Sequence, residues 1–298
     1  MSEIVVPTSA LPVPAGVDRV EHVGGAVVQH GRLSDRVYLL KPGESAEDDL
    51  ALMERLARRH GYSKLFAKIS EERQDAFLGA GYEIEARIPG AAGGPDLLFC
   101  SRFLDPGRKR ERFTDQSLKV IRAAILESAS ARDGDTSKSR ADDGILLQAA
   151  DGSDAGELAA LYGSVFATYP FPIGDAEFIR QTMSSGTAYF LARDAANEQV
   201  IAAASAEMLR SLAACEMTDF ATLPERRGLG IAGLLLQALE REVIDTGVRM
   251  AFTIARSTSL GMNVVFARQG YTYAGTLVNN TNIAGRIESM NVWYRALA

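Results

Sequence analysis

The chain is short of several things, and each shortage narrows what it does. Its two cysteines, Cys100 and Cys215, lie far apart in apolar, strand-like segments. They read as reduced core residues, so neither a disulfide scaffold nor a thiol nucleophile is expected. Three histidines, His22, His30 and His60, share the first quarter of the chain without ligand spacing, and no metal site is expected. There is no concentrated Lys/Arg block and the net charge is −6. This speaks against nucleic acid or an anionic membrane as the main partner and favours a small cationic substrate. No apolar run is long enough to span a bilayer, and the opening MSEIVVPTSALPVPAG lacks the basic start and apolar centre of a signal peptide. The expected compartment is the cytoplasm. A homodimer stays open.

What is present is enough apolar material for a substantial core, 47% of 298 residues. The chain is organised around CEMTDFATLPERRGLGIAGLLLQALE, residues 215–240. This stretch reads as a strand, a break at Leu223-Pro224, a Gly-rich turn and an apolar helix. Arg227, Gly228, Gly230 and Ala232 leave room for backbone amides to approach an anion, and the helix adds its free N–H groups and the positive end of its dipole. The Lys-[Ser/Thr] pair of a P-loop is missing, so a nucleotide hydrolase is not expected.

Residues 1–16 are Pro-rich and read as a loose arm. Short strands follow, then a periodic helix from Ser45 to His60, the strand KLFAKIS, a helix stopped by Gly81, and the strands EIEARIPG and DLLFCSRFL. PGRKRER reads as a solvated basic turn, Phe113 to Ala131 as a helix, and ARDGDTSKSRADDG as a polar boundary. The expected division is 1–110, an N-terminal α/β domain; 111–143, a helical and polar linker; and 144–298, a second domain of mixed sheet and helices. Strand, two helices, hairpin, strand, helix, strand, helix, strand, strand is the predicted order there, with NNTNIAG as a polar turn before the last strand. The run from KLFAKIS to DLLFCSRFL echoes the run from MAFTIARS to NVWYRAL element by element.

R-x-x-G-x-A after such a strand resembles motif A of the GNAT acyltransferases. Over residues 145–298, TYPFPI, AEMLRSLAACEMTDFATLPERRGLGIA, TIARSTSLGMNVVF and LVNNTNIAGRIESMNVWYRAL look like the β-lysine N-acetyltransferases, and KLFAKIS, GYEIEARIPG and DLLFCSRFL resemble that family's N-terminal part. The resemblance implies a GNAT fold, an α/β mixed sheet, and the internal echo implies that the smaller α/β domain before it is a degenerate half-GNAT whose KPGESAED turn lacks the anion-binding pattern. It implies acetyl-CoA as cofactor and acetyl transfer to the ε-amine of β-lysine, giving Nε-acetyl-β-lysine, a compatible solute in osmotic stress. A GNAT acting on a polyamine, α-lysine or an aminoglycoside, and an acyl-CoA-binding regulatory module without catalysis, are the alternatives.

An ε-ammonium, with a pKa of about 10.4, must lose a proton before it attacks a thioester. Glu216 and Asp219 are the candidate bases, Glu216 favoured, directly or through a water. Three apart on a strand they face opposite ways, unless a bulge turns both to the cleft. Either one alternatively binds a second ammonium or forms an ordinary ion pair. By the resemblance, amides near Phe220 and Ala221 steady the carbonyl oxygen, Phe220 to Thr222 flank the pantetheine arm, and Arg227, Gly228, Leu229, Gly230, Ile231 and Ala232 hold the pyrophosphate. Asn263 matches a cofactor-contacting position. Phe266 stands where many GNAT enzymes place a tyrosine general acid, which leaves Tyr271, Tyr273 or solvent to protonate the thiolate and Phe266 as core or a thiol-pocket wall. Tyr169 and Phe171 form a substrate lid or simply pack together. Asn279, Asn280, Thr281 and Glu288, otherwise a solvated turn, become substrate ligands.

Overall fold

The computed structural model describes residues 18–132 and 144–297. The expected arm and most of the polar boundary stretch lie outside them. The chain opens with a hairpin, β1 (Arg19–Val23) and β2 (Ala26–Gly31), followed by β3 (Arg36–Lys41), α1 (Ala46–His60) and β4 (Lys64–Ser70). Ser45 caps α1 by accepting from the Asp48 amide at 3.2 Å, and three acidic residues fill its first turn, as the helix dipole favours. Next come α2 (Gln74–Gly79), β5 (Glu83–Ile88), β6 (Leu97–Phe103) and α3 (Thr114–Arg132).

After the boundary stretch come β7 (Ile145–Ala149), α4 (Ala155–Val165), α5 (Ala176–Ser184), β8 (Ala188–Asp194), β9 (Val200–Leu209), β10 (Ala214–Thr222), α6 (Ile231–Asp245), β11 (Met250–Arg256), α7 (Leu260–Arg268), β12 (Thr272–Ile283) and β13 (Arg286–Ala296). All thirteen strands form one sheet, in the order β1-β2-β3-β4-β6-β5-β12-β13-β11-β10-β9-β8-β7. The order therefore runs outward from the β5–β12 seam with the same connectivity on both sides, β7 apart. The two parallel pairs, β3 with β4 and β10 with β11, occupy matching places.

The seam is narrow in backbone terms. Gly275 opposite Ala86 is its register pair, and a side chain at Gly275 would stand 2.1 Å from the Glu85 carbonyl oxygen. Close approach of the two strands therefore requires glycine here. Side chains do the rest. Glu85 accepts from the Val278 amide at 2.7 Å and from Lys64 Nζ at 2.9 Å, and Lys64 also donates to the Val278 carbonyl. Phe66 and Phe99 pack with Phe252, Leu277 and Val292 in one apolar cluster across the seam. Burying rings of this size stabilises by about 1.5–3 kcal/mol each, so the cluster, rather than the backbone pairing, ties the halves together.

Two expectations need correction here. NNTNIAG is a turn only at Ala284 and Gly285: Asn279 to Ile283 belong to β12, and Asn279, Asn280 and Thr281 are buried. Their polarity is met from within, since Asn279 Nδ2 donates to the carbonyls of Arg108 and Arg110, and Arg36 donates to the Asn280 carbonyl and Thr281 Oγ1. PGRKRER is likewise not wholly solvated. Arg108 is buried, donating to Asp35, Ser63 and the carbonyls of Ser34 and Asn279.

Candidate active site

The site begins where two neighbouring strands part. β10 and β11 pair only from Ala214–Met250 to Glu216–Phe252. Beyond that, β10 stays with β9 to Thr222 while β11 stays with β13 to Arg256. Between the diverging ends lies a cleft of about 630 Å³, with Thr218, Asp219, Phe220 and Thr222 on one side and Thr253 to Arg256 on the other. That volume falls within the range of roughly 300–1,000 Å³ usual for a bound organic molecule.

The end of the cleft toward α6 suits an anion. Gly228 and Gly230 adopt φ values of 80° and 82°, and a Cβ at Gly228 would meet open space. Gly230 is the N-cap of α6, which has neither a side-chain cap nor an acidic residue in its first turn. Arg227, Gly228, Gly230, Ile231 and Ala232 all line the cleft, so uncapped amides and a positive dipole end are offered to a ligand phosphate. The matching turn of the first half is closed. There the Gly43 amide donates to both oxygens of Asp49, which is also paired with Arg73 at 2.9 Å. The chain's own carboxylate occupies the anion's place.

β10 carries the acids. Its register against β9 slips between Thr218 and Ala221, so Asp219 and Phe220 fall outside the residue-by-residue pairing, and Asp219 takes φ 52°. This bulge brings Glu216 and Asp219, three apart in sequence, to the wall of one smaller cavity of about 140 Å³. Asp219 lies at the junction, for it lines both cavities, as do Tyr169, Thr218, Ile254, Ile283 and Met290. Its Oδ1 accepts from the Tyr169 hydroxyl and its Oδ2 from Ser205 Oγ, each at 2.6 Å. Burial raises the Asp219 carboxyl above the usual range, while the hydrogen bonds from Ser205 and Tyr169 pull the other way. Glu216 pairs with Lys68 Nζ of β4 at 3.3 Å.

Glu207 of β9 stands directly opposite Glu216 and lines the same cavity. Enclosure raises its carboxyl to about 8, with Glu216 and Asp219 adding and Lys68 opposing. Both raised acids bind protons more tightly folded than unfolded. The stability they contribute is therefore fully present below the unfolded carboxylate pKa and is lost, for Glu207, as pH rises through about 8. Thermal melts between pH 6 and 9 should show the native protein losing stability and Glu207→Gln losing distinctly less; parallel curves would remove Glu207 as the cause.

The remaining expected residues divide. Phe266 lines the cleft, edge-on to Phe220 at 5.4 Å. Phe171, Asn280 and Thr281 line the smaller cavity. The loop carrying Tyr169 and Phe171 covers that cavity and is pinned, with Gln29 Nε2 on the Pro170 carbonyl at 2.6 Å and Thr168 Oγ1 on Asn282 at 3.0 Å. Ala221 and Leu229 pack into apolar clusters instead of lining either space. Asn263 is buried with its amide fully used, donating to the Arg256 and Ser259 carbonyls and accepting from Asn291 and Trp293. It anchors α7 to the sheet. Glu288 lines neither cavity, because Arg256, Arg286 and Thr258 occupy its oxygens. Tyr271 packs in the core and Tyr273 bonds Thr276, both away from the cleft.

Arg36, Tyr38, Lys68 and Glu207 were missed. All four line the smaller cavity, and their only sequence signal is a charged or polar residue inside a strand that reads as buried.

The Acetyltransferase (GNAT) family model matches residues 158–271. The chain is 35% identical, over 94% of its own length and 99% of the relative's, to a β-lysine N(6)-acetyltransferase of Methanococcus maripaludis. It is 29% identical to the N-acetyltransferase YodP of Bacillus subtilis, over 91% of this chain and 96% of that one. A β-lysine N(6)-acetyltransferase of Methanosarcina mazei is also 29% identical, over 84% and 97%. With the split strands, the uncapped α6 and this whole-length similarity taken together, the chain belongs to the β-lysine N-acetyltransferase family of the GNAT superfamily and is an acetyl-CoA-dependent N-acetyltransferase.

Proposed function

We propose that the enzyme acetylates the ε-amine of β-lysine to give Nε-acetyl-β-lysine. The observation that carries the reading is the junction at Asp219: a small cavity walled by the acidic residues Glu207, Glu216 and Asp219 opens there onto the cleft whose far end suits a phosphate. The names of the two archaeal relatives point to the same substrate. Acetyl-CoA supplies the acetyl group as a thioester, reactive toward a neutral amine. Arg227 to Ala232 hold its pyrophosphate, and Phe220, Thr222 and Phe266 flank the rest.

Glu216 takes the proton from the ε-ammonium, directly or through a water. Its Oε1 accepts nothing among the described residues, whereas both oxygens of Asp219 are engaged. Asp219 receives the ammonium at the junction and, held by Tyr169 and Ser205, fixes the bulge that turns the Asp219 and Phe220 amides out of the ladder. Those amides are the donors available to an oxygen gaining charge. Tyr169 is the only tyrosine lining the cleft among the described residues, and its hydroxyl is committed to Asp219. The departing thiolate therefore takes its proton from solvent. The half preceding the boundary stretch is a degenerate copy of the second, its own anion site closed by Asp49. Acetylation turns a net cationic diamino acid into a neutral zwitterion, a form suited to accumulation in the cytoplasm as a compatible solute.

The test is thiol release from acetyl-CoA with β-lysine, α-lysine, 1,4-diaminopentane and an aminoglycoside, with product fragmentation locating the acetyl group. The highest kcat/KM is expected for β-lysine, with acetyl on the ε-nitrogen. Acetyl on the β-nitrogen, or a better rate with another amine, would overturn the assignment.

A further inference from the structure

One cation in the smaller cavity lacks a counter-charge. Among the described residues the other buried cations each meet a carboxylate: Lys64 meets Glu85, Lys68 meets Glu216 and Arg108 meets Asp35. Arg36 of β3, only 3% exposed, meets none within 4.0 Å. Its NH1 donates to the Asn280 carbonyl at 2.7 Å and Thr281 Oγ1 at 2.9 Å, its NH2 reaches Gln29 Oε1 at 3.4 Å, and its Nε has no partner among the described residues. The rings of Tyr38 and Phe66, 4.9 and 5.4 Å from the guanidinium carbon, hold it in place. Asp18 and Glu85 act on it only from beyond ion-pair range, and burial lowers its pKa to about 10, which still leaves it charged near neutrality. A buried charge without a counter-charge is costly. Such a residue is retained where a ligand supplies the missing charge.

We propose that Arg36 is the counter-charge for the substrate's carboxylate, so that the first half of the chain selects amino acids over plain polyamines. The inference rests on the small-amine reading of the cavity given above. A planar fork already fixed by Asn280 and Thr281 loses little freedom when a carboxylate docks, and guanidinium with carboxylate is the pairing that its geometry favours. Glu207, Glu216 and Asp219 stand on the cavity's other strands, where the ammonium groups belong. Substrate with opposite charges along one short chain complements both sets. A diamine satisfies the acids and leaves Arg36 bare.

The experiment pairs β-lysine with its carboxamide on the native enzyme and on Arg36→Gln, with Arg36→Lys as the conservative variant and melting temperature as the check on folding. In the native enzyme, kcat/KM should fall at least about 100-fold from acid to amide, mostly through KM, because a site built around a charge rejects a ligand lacking it. Arg36→Gln should raise KM for β-lysine and bring the acid-to-amide ratio close to one; Arg36→Lys should lie between. A native enzyme that accepts the amide as readily as the acid overturns the proposal, as does an Arg36→Gln variant that loses both substrates in equal measure. If Arg36→Gln fails to fold, the native acid-to-amide ratio decides alone. If α-lysine proves the better substrate, the β-lysine reading falls, and the same ratio measured with α-lysine and its amide still judges Arg36.

Discussion

Glu216→Gln is expected to lower kcat by about 10²–10³-fold, within the span of roughly 10²–10⁴ typical of a lost general base, while KM for acetyl-CoA stays near its native value. The expectation follows from position. Glu216 shares the smaller cavity with Asp219, and nothing among the described residues occupies its second oxygen. Glutamine keeps an acceptor for Lys68 and nearly the same volume, so the change tests proton removal more than packing. The substitution also leaves the Lys68 ammonium without its counter-charge, and breaking a buried pair destabilises. A melting temperature measured alongside kcat separates the two effects. Asp219→Asn should cost less, because its hydroxyl partners can reorient toward an amide. If Asp219→Asn instead abolished turnover while Glu216→Gln left it intact, the roles would be exchanged; no loss in either variant would end the mechanism.

The second large effect is expected at the other end of the cleft. Ala232→Asp places a carboxylate in the first turn of α6, where no acidic residue now stands. The first half shows what that does, for Asp49 already satisfies the equivalent turn from within. Charge near a partly buried helix terminus is worth up to about 2 kcal/mol, about 30-fold in affinity, and repulsion of the pyrophosphate adds to it. KM for acetyl-CoA should therefore rise by roughly 10- to 30-fold, with kcat at saturation much less affected. An unchanged KM would show that the phosphates bind elsewhere.

The parts of this molecule that were legible in its sequence are those written locally. The glycine spacing at residues 228–230 reports a turn and a helix start because only nearby backbone is involved. The bulge was anticipated only conditionally, as the one way for Glu216 and Asp219 to face the same space. Asn279 to Thr281 were misread as a turn because their hydrogen-bond partners, Arg36 and Arg108, lie some 170 to 245 residues earlier. A polar run looks solvated until such partners are known. Glu207 and Lys68 were hidden for the converse reason, since a single charge within an apolar strand does not reveal which strand will face it. Glu288 and Asn263 show the limit of reading a role from a motif position: each spends its polar atoms on the protein itself.

The seam between β5 and β12 gives the enzyme a division of labour. Residues of α6 and α7 line the cleft and β10 lines both spaces, whereas Arg36, Tyr38 and Lys68 reach the smaller cavity from β3 and β4. On the proposed roles, selectivity and turnover fall on separate stretches of one polypeptide. On the roles proposed above, substitutions at Arg36 would retune which amine is welcomed, whereas Lys68, paired with Glu216, ties the first stretch to the catalytic strand.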